Sequence, residues 1–94
     1  MPSPALNPVI HPALRLRICA MLAADGDLGF ATVRERLDVS ESVLSKHVKV
    51  LEGAGYVAIR KAAADARQRT WLALTSVGRE AFAAHAAALR ALVG

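Results

Sequence analysis

Serine hydroxyls and lysine ammonium groups recur at helical spacing in the middle of this sequence. Ser42, Ser45, Lys46 and Lys49 lie within the stretch VSESVLSKHVKVLEGAGYV, which runs from residue 39 to residue 57. Hydroxyls form hydrogen bonds with base edges and lysines attract phosphates, and both partners lie close together in a DNA major groove. A solvated helix face has the same composition, so these four residues alone leave both interpretations open.

The residues between these polar positions predict the helix that carries them. Leu44, Val48 and Leu51 form an apolar stripe at helical spacing on the opposite face. Ser40 is a favourable N-cap, because its hydroxyl accepts a hydrogen bond from an otherwise unpaired amide of the first turn. Gly55 is the expected stop, because glycine adopts the left-handed conformation without a Cβ clash. The sequence therefore predicts an amphipathic helix with one buried and one exposed face.

The flanking segments predict the remaining elements. Apolar residues keep a helical spacing before the central helix and at the end of the chain, and they alternate in the two segments after it. Two helices joined by a turn of about three residues match a helix-turn-helix arrangement. The predicted fold class is α+β and mostly helical, with a three-helix core, a β-hairpin and a C-terminal helix. The expected elements are helices over about 12–24 and 32–37, a short extended stub at 28–30, strands over about 56–61 and 68–74, and a last helix over about 76–93.

The charge distribution favours a polyanionic partner or an acidic surface. The net charge is +4 and the sequence pI is near 10.0. Residues 40–69 carry six lysines and arginines against three acidic residues, so most of the excess lies in and after the central helix. The 94 residues fit a single domain, 1–94, near the size at which one core is only just sufficient. Burial against a second subunit is therefore plausible.

Several other functions are not indicated. Cys19 is the only cysteine, so neither an intrachain disulfide nor a thiolate metal cluster can form. His11 and His85 lack metal-ligand spacing, and no metal or other cofactor is predicted. Without a recognisable nucleophile–base set, phosphate loop or carboxylate pair, no enzyme activity is predicted. The sequence has no signal pattern and no apolar run of membrane length, which predicts a cytoplasmic location without a membrane partner.

The two ends of the chain differ in pattern. Residues 1–10 are proline-rich without periodicity, which predicts a loose N-terminal arm, with an extended lead-in as the alternative. The last helix carries an apolar band wider than one small domain needs to cover, which predicts a dimerisation helix over 76–93, with packing inside the chain as the alternative. The predicted dimer contacts are Phe82, His85, Ala86, Leu89, Leu92 and Val93.

This order of elements resembles the small winged-helix transcriptional regulators, in particular the MarR-like and ArsR-like group. Three stretches carry the resemblance: HPALRLRICAMLA, VSESVLSKHVKVLEGAGYV and RTWLALTSVGREAF, which together span about residues 11–82. The resemblance implies a winged helix-turn-helix homodimer, a repressor or activator, on a palindromic operator in double-stranded DNA. It also implies a recognition helix over about 40–54 in the major groove and a wing over about 60–69 on the flanking backbone.

The resemblance also implies roles for individual residues. His47 has a second interpretation, because a histidine on this helix can instead pack against a neighbouring element. The implied DNA contacts are Ser42, Val43, Ser45 and Lys46 at base edges, His47 and Lys49 near phosphates, and Arg60, Lys61, Arg67 and Arg69 in the wing.

The sequence departs from the family pattern at three points. The wing pair Asp65 and Arg67 lies one residue further from the Leu-Thr run than in MarR-type wings, so its pairing is left open. The helix before the turn has no cysteine, which argues against thiolate metal sensing. The longer flanking helices that form an effector cavity are missing, so a small-molecule effector is possible in principle but has no predicted site.

A protein-interaction module that binds an acidic partner is the alternative function. It would use the same basic face. Serines and lysines on that face favour DNA, because protein interfaces are enriched in aromatic residues and methionine. A DNA-binding assay at rising salt distinguishes the two hypotheses.

Overall fold

A computed structural model describes residues 5–64 and 67–94 of the chain, with no account of the side chains of residues 64 and 67. The predicted roles of Arg67 and its pairing with Asp65 therefore lie outside the described residues. The structure contains α1 (Ala13–Asp25), β1 (Leu28–Gly29), α2 (Phe30–Leu37), α3 (Glu41–Gly53), β2 (Val57–Ala64), β3 (Arg67–Leu74) and α4 (Ser76–Val93). This order confirms the predicted mostly helical α+β fold.

The three strands form one antiparallel sheet in the order β1-β3-β2. Leu72 of β3 pairs with Leu28 on one side and with Ile59 on the other. The β2–β3 hairpin is longer than predicted, because its pairing continues to Ala64 and Arg67. Alanines give little alternating signal in the sequence, whereas backbone hydrogen bonds extend a hairpin whatever the side chains.

The core lies where the helices meet the sheet. Leu44, Val48 and Leu51 are at most 1% exposed, which confirms the predicted apolar stripe of α3. They join Ile18 and Leu22 of α1, Val33 and Leu37 of α2, and Val57, Leu72 and Leu74 of the sheet. Packing of α3 against α1 and β2 in this core therefore fixes which face of α3 is exposed.

Two residues with positive φ shape the ends of α3. Asp38 has a φ of 54° in the turn that separates α2 from α3, and Gly55 has a φ of 80° just after α3. The Ser40 hydroxyl accepts from the Val43 amide at 3.2 Å, as predicted for the N-cap. Helix α2 begins at Phe30, two residues before the predicted start, because extended Gly29 leads directly from β1 into the helix.

Within the predicted loose arm over 1–10, residues 7–10 are ordered against the domain. Residues 7–11, called here the N-terminal bracket, lie against the domain. The Asn7 side chain accepts from the amides of Val9 and Ile10 at 2.9 and 3.2 Å, which closes a local turn. Ile10 is fully buried in the core. Asn7 and Ile10 thus order the part of the arm around Pro8.

Candidate nucleic-acid interface

The predicted base-contacting residues lie together on one exposed part of α3. Ser42, Val43 and Lys46 are exposed, and Ser45 is half-buried. Val43 is 39% exposed, so an apolar side chain is accessible beside these polar groups. The Ser42 hydroxyl lies 3.3 Å from the hydroxyl of the N-cap Ser40, so the first turn is held at two points. The arrangement offers hydroxyl, apolar and cationic groups to a ligand within two turns of helix.

A groove separates α3 from the hairpin, and it is lined by side chains from both. Its volume is about 330 Å³. Ser45 and Lys49 contribute from α3, and Lys61 and Thr70 contribute from the hairpin. Two lysines from different elements therefore border one concave surface, which is a favourable position for an anionic chain. Glu41 also lines this groove and acts against that attraction at its end nearest the N-terminus of α3.

The hairpin divides the predicted wing residues between its two faces. In the β2–β3 register Lys61 pairs with Thr70, whereas Arg60 pairs with Trp71 and Ala62 with Arg69. Because successive side chains of a strand point to opposite faces, Arg60 and Arg69 lie on the face away from Lys61. The sequence prediction treated the wing cations as one group. Among the wing cations whose side chains the structure describes, Lys61 alone lines the groove beside α3.

The exposed guanidinium of Arg60 also has a partner within the chain. It lies 3.9 Å from the carboxylate of Asp27, and the two side chains are 68% and 54% exposed. An ion pair this long and this exposed contributes little to stability and exchanges readily. Arg60 is therefore available to another anion.

His47 packs against α1. Its Nδ1 lies 3.1 Å from Nη1 of Arg15, and Nε of Arg15 donates to the Val9 carbonyl at 2.6 Å. Burial lowers the pKa of His47, and the charges of Arg15 and Lys46 lower it further. The packing interpretation of His47 therefore describes the structure. No local pattern in the sequence indicates a contact between residues 32 positions apart.

The predicted dimer residues of α4 differ in exposure. Leu92 and Val93 are 73% and 86% exposed, whereas His85 is 1% exposed. His85 accepts from the Asn7 amide at 2.9 Å, and its other nitrogen lies 3.4 Å from Nδ1 of His11. The prediction that His85 contacts a second subunit is therefore wrong, because its own chain encloses it. Phe82, Ala86 and Leu89 are half-buried, and Phe82 packs against the core.

The described part of the chain offers neither a reactive thiol nor a metal-ligating cluster nor a membrane-spanning helix. Burial raises the pKa of the Cys19 thiol to about 11, which makes it a poor nucleophile and metal ligand at neutral pH. Within residues 5–64 and 67–94, no group of three metal-ligating side chains comes together. None of the helices described is long and apolar enough to cross a membrane.

The fold and the exposed α3 face define a winged helix-turn-helix protein. The chain belongs to the winged helix DNA-binding domain family, which matches residues 14–93. An uncharacterized protein of Methanocaldococcus jannaschii, MJ0432, is 30% identical over 74 residues, which cover 79% of this chain and 80% of that protein.

Several solved structures share the architecture. A transcriptional regulator homologue from Pyrococcus horikoshii has a TM-score of 0.86 and 29% identity, over 90% of this chain and 84% of its own. HlyU from Vibrio cholerae has a TM-score of 0.66 and 27% identity, over 80% and 77% of the two chains. The heme sensor PefR of Streptococcus agalactiae has a TM-score of 0.76 and 28% identity, over 90% of this chain but 59% of its own. The predicted resemblance to winged-helix regulators is confirmed, and the MarR-like likeness is supported.

Proposed function

We propose that this protein is a transcriptional regulator that binds double-stranded DNA in a sequence-specific manner as a homodimer. The observation that carries the proposal is the exposed face of α3, where Val43, Ser45 and Lys46 stand above the buried stripe of Leu44 and Val48. Because the buried stripe fixes the rotation of α3, its exposed side chains point in a defined direction. Hydrogen bonding to base edges requires such a defined direction.

The proposed contacts divide α3 between base edges and phosphates. Ser42, Ser45 and Lys46 would form hydrogen bonds with base edges, and Val43 would contact a thymine methyl group. Lys49 and Lys61, which border the groove beside α3, would hold phosphates and set the register of the helix. Arg60, Arg67 and Arg69 would serve the flanking backbone. His47 is assigned to packing against α1 rather than to a phosphate contact, because its Nδ1 lies 3.1 Å from Nη1 of Arg15.

The homodimer part of the proposal depends on the end of α4. Leu92 and Val93 are exposed there, next to half-buried Leu89. Two copies joined through this apolar end would form a symmetric dimer, and such a dimer matches a palindromic operator. The dimer would act there as a repressor or an activator. Its two α3 helices would lie about 34 Å apart, one turn of B-DNA.

A small-molecule effector stays a prediction without a site. PefR is described in complex with heme, but this chain spans 59% of that protein. The groove between α3 and the hairpin is not assigned to an effector, because the proposed phosphate contacts Lys49 and Lys61 line it.

Selection of duplex DNA from a random pool tests this function. The purified protein should enrich a palindrome whose half-sites lie about one helical turn apart. A Lys49→Ala variant should weaken binding to the selected and to random DNA alike, because a phosphate contact carries no sequence information. Recovery of no sequence, together with retention on heparin that is lost at low salt, would contradict the proposal. The alternative function, in which the basic surface binds an acidic protein partner, would then be favoured.

A further inference from the structure

The guanidinium of Arg15 joins three parts of the molecule. Arg15 lies on α1, its Nε donates to the Val9 carbonyl of the N-terminal bracket at 2.6 Å, and its Nη1 lies 3.1 Å from Nδ1 of His47 on α3. The side chain is half-buried, so water competes only partly for these contacts. Charge-assisted hydrogen bonds with this geometry are among the stronger polar contacts in proteins.

The chemistry of arginine fixes the protonation state of His47. A guanidinium has only donors and does not lose its proton, so Nδ1 of His47 must accept. His47 is therefore neutral here, with its hydrogen on Nε2. Protonation would place a second N–H and a second positive charge opposite Arg15, and the contact would be lost.

The other end of the N-terminal bracket is anchored to α4 and to the turn after α3. The Asn7 amide donates to Nδ1 of His85 at 2.9 Å, and the Asn7 side chain donates to the Tyr56 hydroxyl at 3.0 Å. The bracket thus connects α4 to Arg15, and through Arg15 to the middle of α3.

We propose that Arg15 is a positioning residue for the recognition helix, which it holds through the neutral ring of His47 while the N-terminal bracket holds Arg15. This inference rests on the proposed DNA-binding function. His47 lies on α3 directly after the proposed base contacts Ser45 and Lys46, so a shift at His47 moves both of them. Arg15 itself is expected to make no base contact, since its Nε and Nη1 are committed within the chain.

A dependence on pH follows from the neutral ring. The charges that act on His47 are Arg15 from α1 and Lys46 from its own helix, and both lower its pKa together with burial. Because the folded pKa of His47 lies below its ordinary value of 6.5, the contact is intact above that value and is lost as pH falls through the lower, folded pKa. Specific DNA affinity should therefore fall on acidification, although protonation adds a positive charge to the DNA-binding side.

Anisotropy titrations of Arg15→Lys and Arg17→Lys on selected and random DNA test the positioning role. Both variants keep the charge, but lysine cannot reach Val9 and His47 with one planar fork. Arg17, on the exposed side of the same helix, is the matched control. Arg15→Lys should weaken binding to selected DNA by about fivefold to tenfold, with a smaller effect on random DNA, and Arg17→Lys by less than about twofold. Equal losses for the two variants, or an equal loss of Arg15→Lys on both DNAs, would overturn the inference.

A His47→Asn variant separates positioning from a phosphate contact. The asparagine oxygen can replace Nδ1 as an acceptor and does not titrate. Between about pH 7.5 and about pH 5.5, its affinity for selected DNA should change less than that of the wild type, which should fall. Wild-type affinity that instead rises on acidification would identify His47 as a phosphate contact and refute the positioning role.

Imidazole nitrogen NMR gives a readout that needs no DNA. Arg15→Lys should raise the pKa of His47 toward its ordinary value, and Arg17→Lys should leave it unchanged. If the protein selects no DNA but this difference is observed, the proposed function fails while the Arg15 contact stands. If selected DNA binds but Arg15→Lys leaves the His47 titration unchanged, the inference alone fails.

Discussion

The backbone of Gly78 lies directly against the carbonyl group of Tyr56. A Cβ atom at position 78 would overlap that carbonyl, so only glycine fits where α4 crosses the turn after α3. The neighbouring contacts strengthen this junction, because the Thr75 amide donates to the Tyr56 carbonyl at 2.9 Å and the Thr75 hydroxyl accepts from the Gly78 amide at 2.9 Å. The Leu-Thr-x-x-Gly run is thus the sequence of a backbone crossing that fixes α3 relative to α4.

A Gly78→Ala substitution should destabilise the domain. The obstacle is backbone, which cannot move aside as a flexible side chain can, so we expect a loss of about 2–4 kcal/mol in the free energy of unfolding. Gly53→Ala is the control, because its Cβ meets nothing within 4 Å at the end of α3. That variant should gain up to about 1 kcal/mol. Urea denaturation measures both, and equal stability of the two variants would refute the crossing.

The apolar stripe of α3 gives a second matched pair. Leu51 is fully buried and Val50 beside it is 39% exposed. Leu51→Ala should lower the free energy of unfolding by about 2–5 kcal/mol through loss of burial and formation of a cavity. Val50→Ala should change it by less than about 1 kcal/mol. Similar losses in thermal or urea unfolding would show that α3 buries a different face.

The buried His85 predicts how stability depends on pH. Burial and the neighbouring His11 lower its pKa, and its Nδ1 accepts from the Asn7 amide. The unfolded chain therefore binds more protons as pH falls below the ordinary value near 6.5, and stability declines with it. His85→Asn keeps an acceptor without titrating, so its unfolding free energy should change less between about pH 7.5 and about pH 5.5. A wild type equally stable at both values would contradict the hydrogen bond.

The exposed end of α4 predicts where a dimer would be broken. Leu92→Asp should shift sedimentation toward the monomer, because it places a charge in the proposed apolar contact. Val77→Asp, at the opposite end of α4 and 57% exposed, should leave the assembly unchanged. A monomeric wild type, or equal effects of the two variants, would remove the dimer from the proposal.

Periodic features of the fold could be predicted from the sequence, whereas contacts between distant polar residues could not. The buried stripe of Leu44, Val48 and Leu51 could be predicted because the repeat of a helix is written in apolar spacing. The contacts of Arg15 with His47 and of Asn7 with His85 could not, since they join polar residues 32 and 78 positions apart. No local pattern encodes such pairs, which arise only when the fold brings α1, α3 and α4 together.

Anisotropy titrations of three variants test whether α3 reads base sequence. Wild type, Ser45→Ala, Lys46→Ala and Lys49→Ala would be titrated against the selected duplex and a scrambled one across a salt series. Ser45→Ala and Lys46→Ala should each reduce the difference in binding free energy between the two duplexes. The expected reduction is about 1–3 kcal/mol, which is the contribution of a well-placed base contact. Lys49→Ala should weaken both equally and reduce the salt dependence. Equal losses on both duplexes for all three variants would contradict the claim.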